Sequence, residues 1–262
     1  MSLEKVAGSG GVQIAIERTG SGKPLLAIHG TASGRKRWFL TAAALGEGRE
    51  LILMDRRARG GSSDGPPPYA IEQEFDDVAA VVAYIGQPLD VLGHSYGALL
   101  TIGAAPKLRN VDRIVLYEPP LRPIAADNDL PEQIEACVAK GDLEGGLRTF
   151  LTHVGATDAD FARLRELPNW KERLTIVPTI PREVRAARGL SFSKEHLAAI
   201  KAPILLQLGS DSPPHFPRAI DELMQGLPNA RREILPGQKH QAMDTAPALF
   251  VKSVRTFLDG TT

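Results

Sequence analysis

The stretch Val91-Leu92-Gly93-His94-Ser95-Tyr96-Gly97 limits most severely what this chain can fold into. A largely apolar run, Leu89 to Leu92, stops at Gly93, and a helix-compatible run, Ala98 to Ala105, begins just after Gly97. Strand, abrupt turn and helix leave Ser95 at the apex. Such a turn holds its central residue in a strained backbone state and pushes the hydroxyl outward. Glycines two before and two after the serine let strand and helix pass closely, because they carry no Cβ.

Around this turn the chain alternates between short apolar runs and helical periodicity. Val12 to Glu17 alternates with period two and predicts a half-buried strand. Pro24–Ile28, Leu51–Met54, Arg113–Tyr117, Ile204–Leu208 and Arg232–Leu235 read as further strands, mostly buried on both faces. Arg35 to Leu45 predicts a short helix, and Ile71, Phe75, Val78, Val82 and Ile85 set out a longer one after Pro66-Pro67-Pro68. The loop Asp55-Arg56-Arg57-Ala58-Arg59-Gly60-Gly61-Ser62-Ser63 reads as a solvated turn braced by an internal Asp–Arg pair. From Leu121 to Ala199 the strand signal fades. Helical pieces appear at 131–140, 143–153 and 158–167, too long an insertion to be a plain loop. A helix between the last two strands and another from Ala246 to Leu258 complete the pattern. The expected class is α/β: a mostly parallel twisted sheet with helices on both faces. Its core spans 1–120 and 200–262, with a helical cap inserted at 121–199.

In such sheets the carboxyl ends of the strands carry the site. His29, Asp55, Ser95, Glu118 and Asp211 all fall there, and His240 follows the last strand. A serine hydroxyl needs a base to take its proton, and the base needs a carboxylate to orient it. His240 is the natural base. Either Glu118 or Asp211 could reach it from the sheet edge. His29 and His94 flank turns, where histidines more often serve structure; His153 and His196 lie in the cap region, and His215 reads as a surface residue. An oxyanion needs donors. The N–H of Tyr96 opens the helix after Ser95, and a second N–H, with a possible hydroxyl contribution, comes from Thr31.

Composition narrows the classes. Thirty-one basic residues balance 31 acidic ones, giving no argument for nucleic acid or an anionic membrane surface. One cysteine, Cys137, excludes an intrachain disulfide and a cysteine-based zinc site. No metal cluster or dinucleotide fingerprint is present. Met1 to Gly10 lacks an apolar signal core, so a cytoplasmic protein is expected. No motif speaks to oligomeric state.

These segments resemble the α/β-hydrolase fold family of serine hydrolases over nearly the whole length. His29-Gly30-Thr31 resembles its oxyanion loop. Asp55, Arg57, Gly60 and Ser62 match an Asp-x-Arg-Gly-x-Gly-x-Ser loop, with Ala58 in place of the first glycine. Gly93-His94-Ser95-Tyr96-Gly97 matches the nucleophile elbow, and His240 with Met243 resembles a His-x-x-Met segment. One departure stands out. The usual acid follows the penultimate strand's terminal glycine by three residues; that position is Ser212, and Asp211 comes one early. Glu118 stands where a subgroup including some haloalkane dehalogenases keeps its acid. The resemblance therefore favours Glu118, with Asp211 retained as the alternative.

The expected function is a cofactor-independent serine hydrolase cleaving a small carboxylic ester, thioester or lactone through an acyl-enzyme. The expected partner is a small-molecule substrate, with neither nucleic acid nor membrane. Alternatives on the same scaffold are a carbon–carbon bond hydrolase, a perhydrolase, a non-hydrolytic lyase and a ligand-binding protein. His29, Phe150 and Trp170 are the expected pocket walls, with Ile176 and Ile180 as further candidates from the cap.

Overall fold

The computed structural model of the protein describes residues 2–121 and 129–260. The start of the expected cap, 122–128, lies outside the described residues. Eight strands form one sheet among them: β1 (Ser2–Ala7), β2 (Gln13–Gly20), β3 (Lys23–Ile28), β4 (Arg49–Met54), β5 (Leu89–His94), β6 (Val111–Tyr117), β7 (Ile204–Gly209) and β8 (Ala230–Leu235). Their order is β1-β2-β4-β3-β5-β6-β7-β8. β1, β2 and β4 pair antiparallel, and every pairing from β4–β3 to β7–β8 is parallel. This is the mostly parallel sheet that the sequence pattern predicts.

Twelve α-helices are described. α1 (Ala42–Leu45), α2 (Ile71–Ile85) and α3 (Tyr96–Ala104) precede β6; α4 (Leu130–Ala139), α5 (Leu143–His153), α6 (Asp158–Arg165), α7 (Trp170–Thr175), α8 (Ile180–Arg188) and α9 (Lys194–Ala198) lie between β6 and β7. α10 (His215–Gly226) joins β7 to β8, and α11 (Ala242–Thr245) and α12 (Pro247–Leu258) follow β8. Period two in the strands divides the core between the two faces. Leu26 and Ile28 of β3 pack with Val78 of α2, Leu99 of α3 and Ile220 of α10. Leu25 and Ala27 of the same strand pack with Leu45 of α1 and with Phe250 and Val254 of α12.

Two readings are corrected and one strand is added. The helix expected over 35–45 breaks into a 3₁₀ turn, Arg35–Trp38, and the one-turn α1. Trp38 is buried while Phe39 and Leu40 face solvent, so no continuous apolar stripe holds a helix there. β1 is an additional edge strand with Leu3 exposed and only Val6 burying a large apolar side chain, too weak a pattern to read. The arginine loop is not solvated: Asp55, Arg56, Arg57 and Arg59 are all buried. Asp55 pairs with Arg35 outside the loop. Arg56 bonds Glu74 of α2 at 2.7 Å and Glu183 of α8 at 2.8 Å, Arg57 bonds Asp77 of α2 at 2.8 Å, and Arg59 also reaches Glu183. The carboxylates that let these cations be buried come from distant segments.

Candidate active site

β5 delivers Ser95 to the carboxyl edge of the sheet at φ 55°, ψ −122°, a conformation that L residues seldom adopt. The turn is feasible because the helix packs directly on the neighbouring strand. A Cβ at Gly97 would stand 2.3 Å from the Ile28 carbonyl oxygen. The Ser95 N–H donates to the Tyr117 carbonyl at 2.8 Å, tying the elbow to β6.

Glu118, one residue beyond β6, is 0% exposed and has φ 47°. Its Oε2 lies 2.6 Å from His240 Nδ1. Its Oε1 accepts from the Gly209 N–H at 2.7 Å and from the Ser212 hydroxyl. Ser212, at the position of the family's usual acid, thus hydrogen-bonds the carboxylate that contacts the histidine. Asp211 points elsewhere: it is exposed, and its carboxylate accepts from the Ser210 hydroxyl at 2.7 Å. The main chain explains this, since the Asp211 N–H is held by the Gln238 carbonyl at 2.9 Å with the side chain on the solvent side.

His240 is fixed from three directions. Phe216 of α10 stacks on its ring at 4.3 Å, and the His94 ring lies 4.7 Å away. His94 Nε2 lies 3.0 Å from the His240 carbonyl, and the Tyr117 hydroxyl donates to the Lys239 carbonyl. Burial, reinforced by the neighbouring His240 and Arg37, holds His94 well below the usual imidazole range. It is therefore neutral, and Nε2–H is its donor. His29 is neutral for similar reasons, burial first and Arg56 second. Its Nδ1–H donates to the Gly30 carbonyl at 2.8 Å and its Nε2 accepts the Arg56 N–H at 3.1 Å.

Two small cavities meet at Ser95 and Thr31. One, about 40 Å³, is walled by Phe150, Val184, Ala187 and Phe216 with Tyr96 and His215. The other, about 20 Å³, is walled by Ser33, Arg37, Arg173 and His240. A larger cavity of about 390 Å³ adjoins them through His240, Gln241 and Val154. The Tyr96 N–H opens α3, at a terminus where N–H groups lack helical partners. The Thr31 hydroxyl is engaged by Glu183.

Of the expected pocket walls, Phe150 lines both small cavities. His29 does not; it is fully buried behind the loop and committed to backbone partners. Trp170 does not either, packing edge-on against Phe161 at 5.3 Å. Ile176 and Ile180 are interior to the helical layer. His215 is no surface residue: it lines the apolar cavity and stacks on His153 at 5.9 Å. Burial, with His153 and His240 nearby, pushes its pKa down to about 4. Sequence reasoning named none of Arg37, Arg173 and Glu183, which are buried only because of segments distant in the chain. Ser212 carried a signal, its register.

The chain resembles known proteins over most of its length. It is 27% identical over 212 residues to a pimeloyl-[acyl-carrier protein] methyl ester esterase of Neisseria meningitidis serogroup A, covering 76% of this chain and 66% of that relative, just under two thirds of its length. The fold matches an esterase from Rhodococcus sp. ECU1013 with TM-score 0.78, at 22% identity over 100% of both chains. An alpha/beta hydrolase from Sphaerobacter thermophilus DSM 20745 is 31% identical, with TM-score 0.78, over 95% of this chain and 99% of that one. A family model described as "Alpha/beta hydrolase family" matches residues 25–253, and with it the chain belongs to that family.

Proposed function

We propose that the protein is a serine hydrolase that cleaves a small carboxylic ester through an acyl-enzyme, with Ser95 as nucleophile, His240 as base and Glu118 as acid. The observation that carries this reading is the buried Glu118–His240 contact at 2.6 Å beside a serine held on a strained turn. Glu118 fixes the tautomer with the proton on Nδ1, so Nε2 is free to accept. Ser95 Oγ attacks the carbonyl carbon while His240 takes its proton. The Tyr96 and Thr31 N–H groups receive the oxyanion. Collapse breaks the bond to the alcohol, which leaves with the proton from His240. Water then repeats the sequence on the acyl-enzyme and releases the acid. The named activity of the Neisseria relative supports an ester over a thioester or lactone. The helices between β6 and β7 act as a cap, since Phe150 of α5 and Val184 of α8 wall the cavity above Ser95. No helix among the described residues is long and apolar enough to cross a membrane.

A fluorophosphonate probe tests the reading. Mass spectrometry should find the phosphonate on Ser95 in the native protein and nowhere in Ser95→Ala. A folded native protein that stays unlabelled would refute the mechanism.

A further inference from the structure

Beside Ser95 lies a buried arginine with no ion pair of its own among the described residues. Arg173 of α7 is 3% exposed and lines the smaller of the two cavities that meet at Ser95. Its Nη1 donates to the Ala32 carbonyl at 3.3 Å, but Nε and Nη2 have no partner among the described residues. The other buried arginines described, 37, 49, 56, 57 and 59, are each paired with a carboxylate. The acids near Arg173 pair elsewhere, Asp244 with Arg37 and Glu172 with Lys36 at 3.0 Å; both still attract the Arg173 charge through space, although Asp244 Oδ1 and Glu172 Oε1 have no hydrogen-bond partner. Burial and then the Arg37 charge push the Arg173 pKa down to about 10, so at neutral pH it still carries its charge. An unpaired buried ion is costly unless an opposite charge arrives.

Nε and Nη2 share one edge of the guanidinium. That edge presents two parallel N–H donors, the fork that grips a carboxylate with both oxygens. Arg173 and Ser95 line the same small cavity of about 20 Å³. On the other side of Ser95 the walls are apolar. Resting on the serine-hydrolase reading, we propose that Arg173 anchors a carboxylate on the substrate, so that the preferred substrate is an ester with an ionised carboxyl on one arm and an apolar group on the other.

The test compares methyl half-esters of short straight-chain dicarboxylic acids, graded in length, with the matching esters whose free carboxyl is a carboxamide. Binding to Ser95→Ala protein is measured by calorimetry, without turnover. At one length the acid should bind tighter than the amide by about tenfold or more, as expected for hydrogen bonds to a charged group. Adding Arg173→Gln should erase that preference, and Arg173→Lys, which keeps a cation without the fork, should retain part of it. Equal binding of acid and amide at every length, or no binding of either, overturns the proposal. So does a preference that survives Arg173→Gln. The first comparison needs no Arg173 variant, so a variant that misfolds does not shield the idea. Phosphonate labelling separates the two readings: a labelled protein blind to the carboxylate loses the anchor alone, and an unlabelled one that discriminates loses the hydrolase reading and keeps the carboxylate site.

Discussion

Replacing Glu118 by Gln keeps the shape of the side chain and removes its charge. Two orientations of the new amide are possible. If its oxygen faced His240, its NH₂ would sit where Oε1 now accepts from the Gly209 N–H at 2.7 Å, setting two donors against each other. Leaving that buried N–H unsatisfied costs about 1–3 kcal/mol. The favoured orientation keeps the oxygen on Gly209 and Ser212 and turns the NH₂ toward His240 Nδ1. Nδ1 must then accept, which moves the ring proton to Nε2, where it blocks the proton from Ser95. The stabilisation of the imidazolium by a full charge at 2.6 Å is lost as well. We expect kcat for an ester substrate to fall by about 10²–10⁴, a barrier increase of about 3–5 kcal/mol. KM should move far less, because the lost interaction strengthens only as charge develops. Ser212→Ala removes one of two neutral donors and should lower kcat by about tenfold at most. Asp211→Asn, on an exposed carboxylate, should stay within about threefold. Steady-state kinetics on folded variants, checked by thermal melts, reads the ranking. A crippled Asp211→Asn beside a nearly normal Glu118→Gln would refute the reasoning.

Two further outcomes concern stability. Ala58 has φ 58°, where L residues are disfavoured by about 1 kcal/mol and glycine is not. Ala58→Gly should therefore raise Tm by about 1–3 °C after the greater entropy of the unfolded glycine is subtracted; a lower Tm would contradict it. His215, held at about 4 in the fold against 6.5 when free, takes up its proton in the unfolded chain first as pH falls. Between these values the unfolded state binds more protons, so stability drops as pH falls from 7 towards 4. In His215→Gln the fall in Tm between pH 7 and 5 should be shallower, and parallel profiles would show that His215 contributes nothing.

The strands and the longer helices were legible because each repeats its apolar pattern over enough residues. α2 keeps helical spacing from Ile71 to Ile85, and the elbow announces both its strand and its helix. What was not legible depends on partners distant in sequence. The loop at 55–63 shows its arginines beside Asp55, which invites an internal pair, while the anions that actually bury those arginines stand on α2 and α8. Arg173 looks like any charged position on a polar helix until the fold turns it inward. Glu118 was readable as a carboxylate at a strand end, but its geometry rests on a turn at φ 47° that no local pattern encodes.

Glu183 also bears on how the molecule breathes. One carboxylate of α8 holds Arg56, Arg59 and the Thr31 hydroxyl at once. Lifting α8 would leave Arg59 without a carboxylate and Arg56 with Glu74 alone, so that helix is moored to the sheet. The far side of the helical layer is not. There the turn after α5, Val154 to Ala156, faces Gln238 to Gln241 across the largest of the three cavities. Among the described residues no hydrogen bond or ion pair crosses that gap. Beside it His153 of α5 stacks on His215 of α10, and Asp160 of α6 feels the Lys239 charge. The two sides of the helical layer are thus held by different chemistry, one by a shared buried carboxylate and the other by ring packing and a longer-range attraction.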